Sequence, residues 1–158
     1  MGLDMYLNAR RYLWSYPEEN EDAQKTKAIS AMFPELADFA SDRSNGVKNV
    51  TAEIGYWRKA NAIHKWFVDN VQDGVDNCGD YYVEYEKLEE LLGVVNKVLA
   101  DTSKAHELLP TASGFFFGNT QYDEWYWHDI EYTKELLEKL LKNKEDLKKW
   151  DLYYHASW

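Results

Sequence analysis

Apolar and polar residues alternate near the start of the chain. Leu3, Met5 and Leu7 interleave with Asp4, Tyr6 and Asn8, the period of a strand with one face buried. Tyr12, Trp14 and Tyr16 extend this pattern until Pro17 stops it. Val47 to Trp57 predicts a second strand, with Val50, Ala52, Ile54 and Tyr56 on one face. Tyr81 to Val83 reads as a short strand, and Ser113-Gly114-Phe115-Phe116-Phe117-Gly118 as another between glycines. Trp150 to Trp158 has the pattern of a closing strand, with Leu152, Tyr154 and Ala156 opposite Tyr153 and His155.

Elsewhere the apolar spacing becomes helical. Ala60, Ile63, Phe67 and Val71 form one stripe over 58–72, and Leu88, Leu91, Leu92, Val95, Val98 and Leu99 form a stronger one over 85–100. A long helix is predicted at about 121–146, with Trp125, Ile130, Leu136, Leu137, Leu140 and Leu141 as core contacts. Residues 73–80 carry turn residues and read as a loop. Residues 101–109 predict a turn and a short helix ended by Pro110. The stretch 18–45 is more polar and predicts short helices around 21–32 and 34–41, ending in Ser44-Asn45-Gly46. Residues 17–46 therefore read as a peripheral insertion in a single domain spanning 1–158. Strands and helices do not alternate strictly, which disfavours a doubly wound sheet. The expected class is α+β: a small, mostly antiparallel sheet packed against three or four helices, with the N- and C-terminal strands as candidates to pair.

Composition narrows the function classes. The chain has 158 residues, 29% charged and 45% hydrophobic, which suits one globular domain rather than a disordered chain. Its net charge of −10 argues against bulk nucleic acid or an anionic membrane as partner, since both need a positive field. The single cysteine, Cys78, excludes an intramolecular disulfide. No apolar run approaches a membrane span and the first residues lack a signal-peptide pattern, so a cytoplasmic protein is expected. Aromatic residues make up 16%, and their concentration at 56–67 and 115–127 is the feature that most needs a use.

The first of these blocks has local chemistry against the background charge. Val47 to Phe67 holds four bases, Lys48, Arg58, Lys59 and Lys65, against one acid, Glu53. The bases fall at a predicted strand-to-helix junction, where backbone N–H groups favour an anion. Arg58 offers a fork for phosphate or carboxylate, Lys59 a second charge, and Asn61 and His64 lie about one turn apart. Tyr56, Trp57 and Trp66 supply rings on which a base can stack. The plainer reading is a surface helix whose rings enter the core. In the second block Thr111, Ser113 and Asp123 are the polar candidates and Phe116 and Trp125 the ring walls. Asn119 and Thr120 lie among them, and the same rings could equally be core. Asp123 also has the chemistry of a helix N-cap.

Two further constellations read better as structure than as sites. Glu124, His128, Glu131 and Glu135 recur at helical spacing, but a carboxylate metal site needs a matching set from a second helix, and none is visible, so no metal or other cofactor is expected. Cys78 with His64, His106 or His155 would make a thiol–base pair only by chance proximity.

The opening Met1-Gly2-Leu3-Asp4-Met5-Tyr6-Leu7, the block Tyr56 to Phe67 and the block Leu109 to Asp129 together resemble a family of small uncharacterised proteins of bacteriophages and bacterial genomes. The resemblance implies a phage-borne accessory protein acting in the cytoplasm of a bacterial host, and brings no catalytic residue with it. The leading expectation is a non-enzymatic protein that binds a small anionic, nucleotide-like ligand, such as a nucleotide-derived immune signal that it sequesters. The alternatives are an acidic inhibitor or mimic that binds a host protein, and an enzyme acting on a nucleotide or phosphate ester; a homo-oligomer is compatible with each. The ring-rich blocks must meet in space for the leading expectation to hold.

Overall fold

The computed structural model of the chain describes residues 2–40 and 46–158, apart from the side chain of Ala40. Four strands form one antiparallel sheet in an α+β fold: β1 (Asp4–Tyr12), β2 (Asn49–Arg58), β3 (Asp80–Tyr82) and β4 (Asp151–Ser157). Their order is β2-β1-β4-β3, so the first and last strands of the chain are neighbours at the centre. The helices are α1 (Glu21–Ser30), α2 (Ala37–Ala40), α3 (Asn61–Asn70), α4 (Tyr85–Ala100), α5 (Ala105–Leu108) and α6 (Glu124–Lys142). The chain divides into two compact units, one of Met1–Ala9 with Glu53–Trp158 and one of Arg10–Ala52. The segment read as an insertion, 17–46, falls within the second. The predicted end of its second helix, at 41, and Ser44-Asn45 lie outside the described residues.

In the larger unit the period-2 pattern becomes the core. Leu3, then Met5, Leu7 and Ala9 of β1, and Leu152, Tyr154 and Ala156 of β4 are buried. Ile63, Phe67, Leu88, Leu91, Val95, Val98, Ile130, Leu137 and Leu140 meet them from α3, α4 and α6. Phe67 stacks on Tyr154 with ring centroids 4.0 Å apart. On β2 the buried positions are Gly55 and Trp57, while Tyr56 is exposed. Trp57 Nε1 donates to Thr133 Oγ1 at 2.9 Å, which satisfies the indole N–H inside the core.

Smaller in extent, the second unit is held by an Arg11–Asp22 ion pair and by Asn20, which caps α1 by accepting from Ala23 N at 2.6 Å. Among the described residues, Leu13 is its buried apolar residue.

Three expectations are corrected. Strand β1 ends at Tyr12, so Trp14 and Tyr16 are exposed loop residues. Trp125 is not a core contact: it lies in the first turn of α6 and is 67% exposed. Residues 113–118 form a turn, not a strand, because the three phenylalanines diverge. Phe115 points to solvent, Phe116 is partly buried, and Phe117 enters the core against His64 and Trp158. The turn needs its glycines. Gly118 has φ +84, a left-handed conformation, and a Cβ on Gly114 would sit 2.5 Å from the Phe117 ring. Gly114→Ala must therefore displace a buried ring. It is expected to cost about 1–3 kcal/mol, read as a lower denaturation midpoint with an unchanged denaturant slope.

Candidate functional site

Where β2 runs out, the chain turns sharply into α3. Lys59 makes this turn with φ 59, in the left-handed region that L-residues other than Asn and Asp avoid. Its N–H donates to Leu3 O at 2.8 Å, and its carbonyl accepts from Asn61 N at 2.8 Å. Its stem passes between two glycines: Cβ positions built on Gly118 and Gly2 would lie 3.3 Å from Lys59 Cβ and Cε. No carboxylate among the described residues pairs with its ammonium. Arg58 is 62% exposed, with Nε 3.9 Å from Asp4 Oδ1. The helix that follows has Ala60 at its N-cap position, where the side chain offers no cap.

Asn61 then joins this junction to the second aromatic block. Its amide nitrogen donates to Phe117 O and Asn119 O, each at 2.9 Å, and its amide oxygen accepts from Ala112 N at 3.0 Å. The buried amide is saturated by the backbone of the 111–119 loop. The loop has further bonds of its own: Thr111 Oγ1 donates to Thr120 O, and Asn119 Nδ2 to Asp123 Oδ2. Asp123 caps α6, accepting from Trp125 N and Tyr126 N, each at 3.1 Å. These donors, with Tyr126 N–H foremost, hold its carboxyl below the usual carboxylate range.

Between these segments lies a cleft of about 770 Å³. One wall is Tyr56 to Ile63; the other is Thr111, Gly118, Asn119, Gln121 and the first half of α6. The two ring-rich blocks thus share one cleft. At one end Tyr56 N donates to Tyr132 Oη at 3.3 Å, so α6 covers an N–H of the sheet's edge strand. The Tyr56 hydroxyl donates to Asp4 Oδ1 at 2.5 Å, which with burial raises its pKa.

Of the residues singled out from sequence, Tyr56, Trp57, Arg58, Lys59, Asn61, Thr111, Asp123 and Trp125 line the cleft. Four do not. Trp66 is buried with its ring edge-on to Phe67. Ser113 is exposed on the loop, and Phe116 packs edge-on to Phe115 while its carbonyl accepts from Leu3 N. His64 is only 1% exposed, between Tyr154 Oη at 2.7 Å and Asp76 Oδ1 at 3.1 Å. Burial lowers its pKa against the pull of Asp76. Neutral His64 then accepts from the tyrosine at Nδ1 and donates to the aspartate at Nε2, tying the 71–79 loop to β4. Cys78, in that loop, is exposed. Glu124, His128, Glu131 and Glu135 are exposed too, and no metal-ligating cluster occurs among the described residues.

Gln121, His128, Asp129 and Tyr132 line the cleft without having been singled out as its walls. Trp125, Asp129 and Tyr132 follow the i, i+4, i+7 spacing of one helix face. An acid flanked by rings on the stripe beside the core positions is the signal that could have found them. Asp129 is the most perturbed acid here. Its side chain is 25% exposed, and burial pushes its pKa up to about 6, with His128 opposing.

No family model matches the chain, and neither the curated proteins nor the solved structures give a match.

The raised pKa of Asp129 has a definite consequence. An acid whose folded pKa exceeds its unfolded value contributes stability below the unfolded value and loses it as pH rises through the folded one. Asp129→Asn is thus expected to stabilise the protein above pH 6 by about 1–3 kcal/mol. The gain should vanish near pH 4, which thermal melts at pH 4 and pH 7.5 measure.

Proposed function

We propose that this chain is a non-enzymatic binding protein whose cleft takes a small ligand with a flat ring and a single anionic group. Lys59 carries this reading. In a chain with 28 acids and 18 bases, a lysine held in a strained backbone conformation at a cleft wall, with no carboxylate partner among the described residues, is a poor choice for stability. Such strain accumulates where a site requires it. Arg58 stands beside it, and an exposed pair at 3.9 Å to Asp4 leaves its guanidinium donors largely available. Tyr56 and Trp125 supply exposed ring faces for stacking. The cleft volume lies within the range of small-molecule sites. Asp123 and Asp129 in the same lining argue against a polyphosphate and for one phosphate or a cyclic phosphodiester. A nucleotide-derived host signal has this chemistry. The resemblance noted above extends the proposal to a phage-borne accessory protein that sequesters such a signal in the bacterial cytoplasm.

Lys59→Gly separates binding from structure. Glycine relieves the left-handed conformation, so stability should hold or rise by up to about 1 kcal/mol. Ligand affinity should fall about tenfold or more. Thermal-shift titration with nucleoside monophosphates and 3′,5′-cyclic mononucleotides reads both. A ligand at 100 times its Kd should add ~2.7 kcal/mol to the wild type. Absence of any shift, or an equal shift in Lys59→Gly, counts against the proposal.

A separate observation favours a second reading, in which the chain binds a host protein. In the smaller unit Trp14, Tyr16, Met32 and Phe39 are all exposed, interleaved with Glu18, Glu19, Glu35 and Asp38. Exposed rings among acids suit an apolar protein surface with a basic rim. A stoichiometric host partner cross-linked to the wild type and lost in the Trp14→Ser/Phe39→Ser pair supports this reading. Equal capture by both counts against it.

A further inference from the structure

Resting on the ligand class just proposed, we infer that Asp129 reads the base of the ligand and selects guanine. The argument starts from how differently the two carboxylates of the cleft are occupied. Asp123 has three donors on its oxygens, Trp125 N, Tyr126 N and Asn119 Nδ2, each at 3.1 Å. Among the described residues Asp129 has none at hydrogen-bonding distance: the His128 Nδ1 beside it lies 3.7 Å from Oδ1, too far for a hydrogen bond. Burial of this carboxylate, only partly offset by the neighbouring His128, is the physical cause of its resistance to ionisation. Any ligand that brings N–H groups to it relieves that penalty.

Position narrows the choice of N–H group. Trp125 and Asp129 lie four residues apart on α6, about 6 Å along the axis, and both line the cleft. A flat ring stacked on Trp125 therefore has its edge within reach of the carboxylate. A carboxylate only accepts hydrogen bonds, and two oxygens side by side match two adjacent donors. Guanine presents that pair on its pairing edge, the ring N1–H and the exocyclic amine. Hypoxanthine keeps only N1–H. Adenine keeps its amine but turns a ring-nitrogen lone pair towards the carboxylate. Sites that hydrogen-bond a ligand N–H discriminate strongly against analogues lacking it, since the buried acceptor is then left unpaired.

Substitution by asparagine should invert this preference. The amide oxygen of Asn can accept from the adenine amine while its nitrogen donates to the adjacent ring nitrogen, the complementarity by which Asn recognises adenine elsewhere. Lys59 and Arg58 serve the anionic end and should be indifferent to the base.

Calorimetric titration of the wild type, Asp129→Asn and Lys59→Gly with GMP, IMP, AMP and CMP tests this. The wild type should bind GMP about tenfold or more tighter than AMP, with IMP between and CMP weak. Asp129→Asn should lose about tenfold or more for GMP and bind AMP at least as tightly as GMP. Lys59→Gly should weaken all four by a common factor. Equal binding of GMP and AMP by the wild type, or an unchanged ratio in Asp129→Asn, overturns the base-reading role and leaves the ligand class standing. No binding of any monophosphate and no thermal shift with 3′,5′-cyclic mononucleotides overturns both. The melting curve of Asp129→Asn, expected above that of the wild type at neutral pH, shows that any lost affinity is not lost folding.

Discussion

Three hydrogen bonds from one buried side chain hold the cleft together. Asn61 sits at the first position of α3 and gives its whole amide to the backbone of the 111–119 loop. That loop has no regular structure of its own, so its backbone groups must find partners elsewhere. Ala112 N–H, Phe117 O and Asn119 O find them on one residue. The amide accepts once and donates twice, and only one orientation of Asn61 satisfies all three, so the loop is fixed in register as well as in place. The rest of the site inherits this arrangement. Gly118 comes against the Lys59 stem, Asp123 reaches the start of α6, and α6 brings Trp125, Asp129 and Tyr132 opposite the end of β2.

Local conflicts with ordinary stability gather around that anchor. A lysine occupies a left-handed turn that glycine would fill more readily. A carboxylate is held half-buried with no donor at hydrogen-bonding distance among the described residues. The helix carrying Asn61 starts without a side-chain cap. By contrast, the core behind the cleft follows ordinary rules: alternating strand residues, an amphipathic α4, a stacked Phe67–Tyr154 pair and a satisfied Trp57. Strain and poor solvation concentrated in one lining, beside a relaxed core, support the proposal that this lining is a ligand site.

Much of this was legible in the sequence, for identifiable reasons. Period-2 alternation placed β1 and β4, and helical spacing placed α4 at its observed bounds, because in both cases one face meets the core. The two aromatic blocks were visible as composition, and the mixture of bases with rings pointed to the junction after β2. Other features were not readable. His64 looked like a ligand residue, yet period alone does not say that its ring would find Tyr154 and Asp76. Asn61 looked like a binding group and turned out to face the protein's own backbone, whose path through 111–119 depends on tertiary bonds. The turn at 113–118 resembled a strand because its phenylalanines suggested one, while its glycines, Gly114 beneath a ring and Gly118 at positive φ, are what decide it. Asp129 was passed over because an acid on a helix is usually solvated, and only the packing of α6 against the end of β2 removes it from water.

The central claim is that Asn61 assembles the cleft by pinning the second aromatic block to the first. Amide hydrogen exchange at Ala112, compared between the wild type and Asn61→Ala, tests it most directly. Ala112 N–H lies on an irregular loop and has Asn61 Oδ1 as its acceptor. In the wild type it should exchange slowly, with protection approaching that of the core helices. In Asn61→Ala that protection should collapse by about tenfold or more, while the amides of α4 keep theirs relative to global stability. Free exchange of Ala112 in the wild type, or equal protection in the variant, would contradict the account.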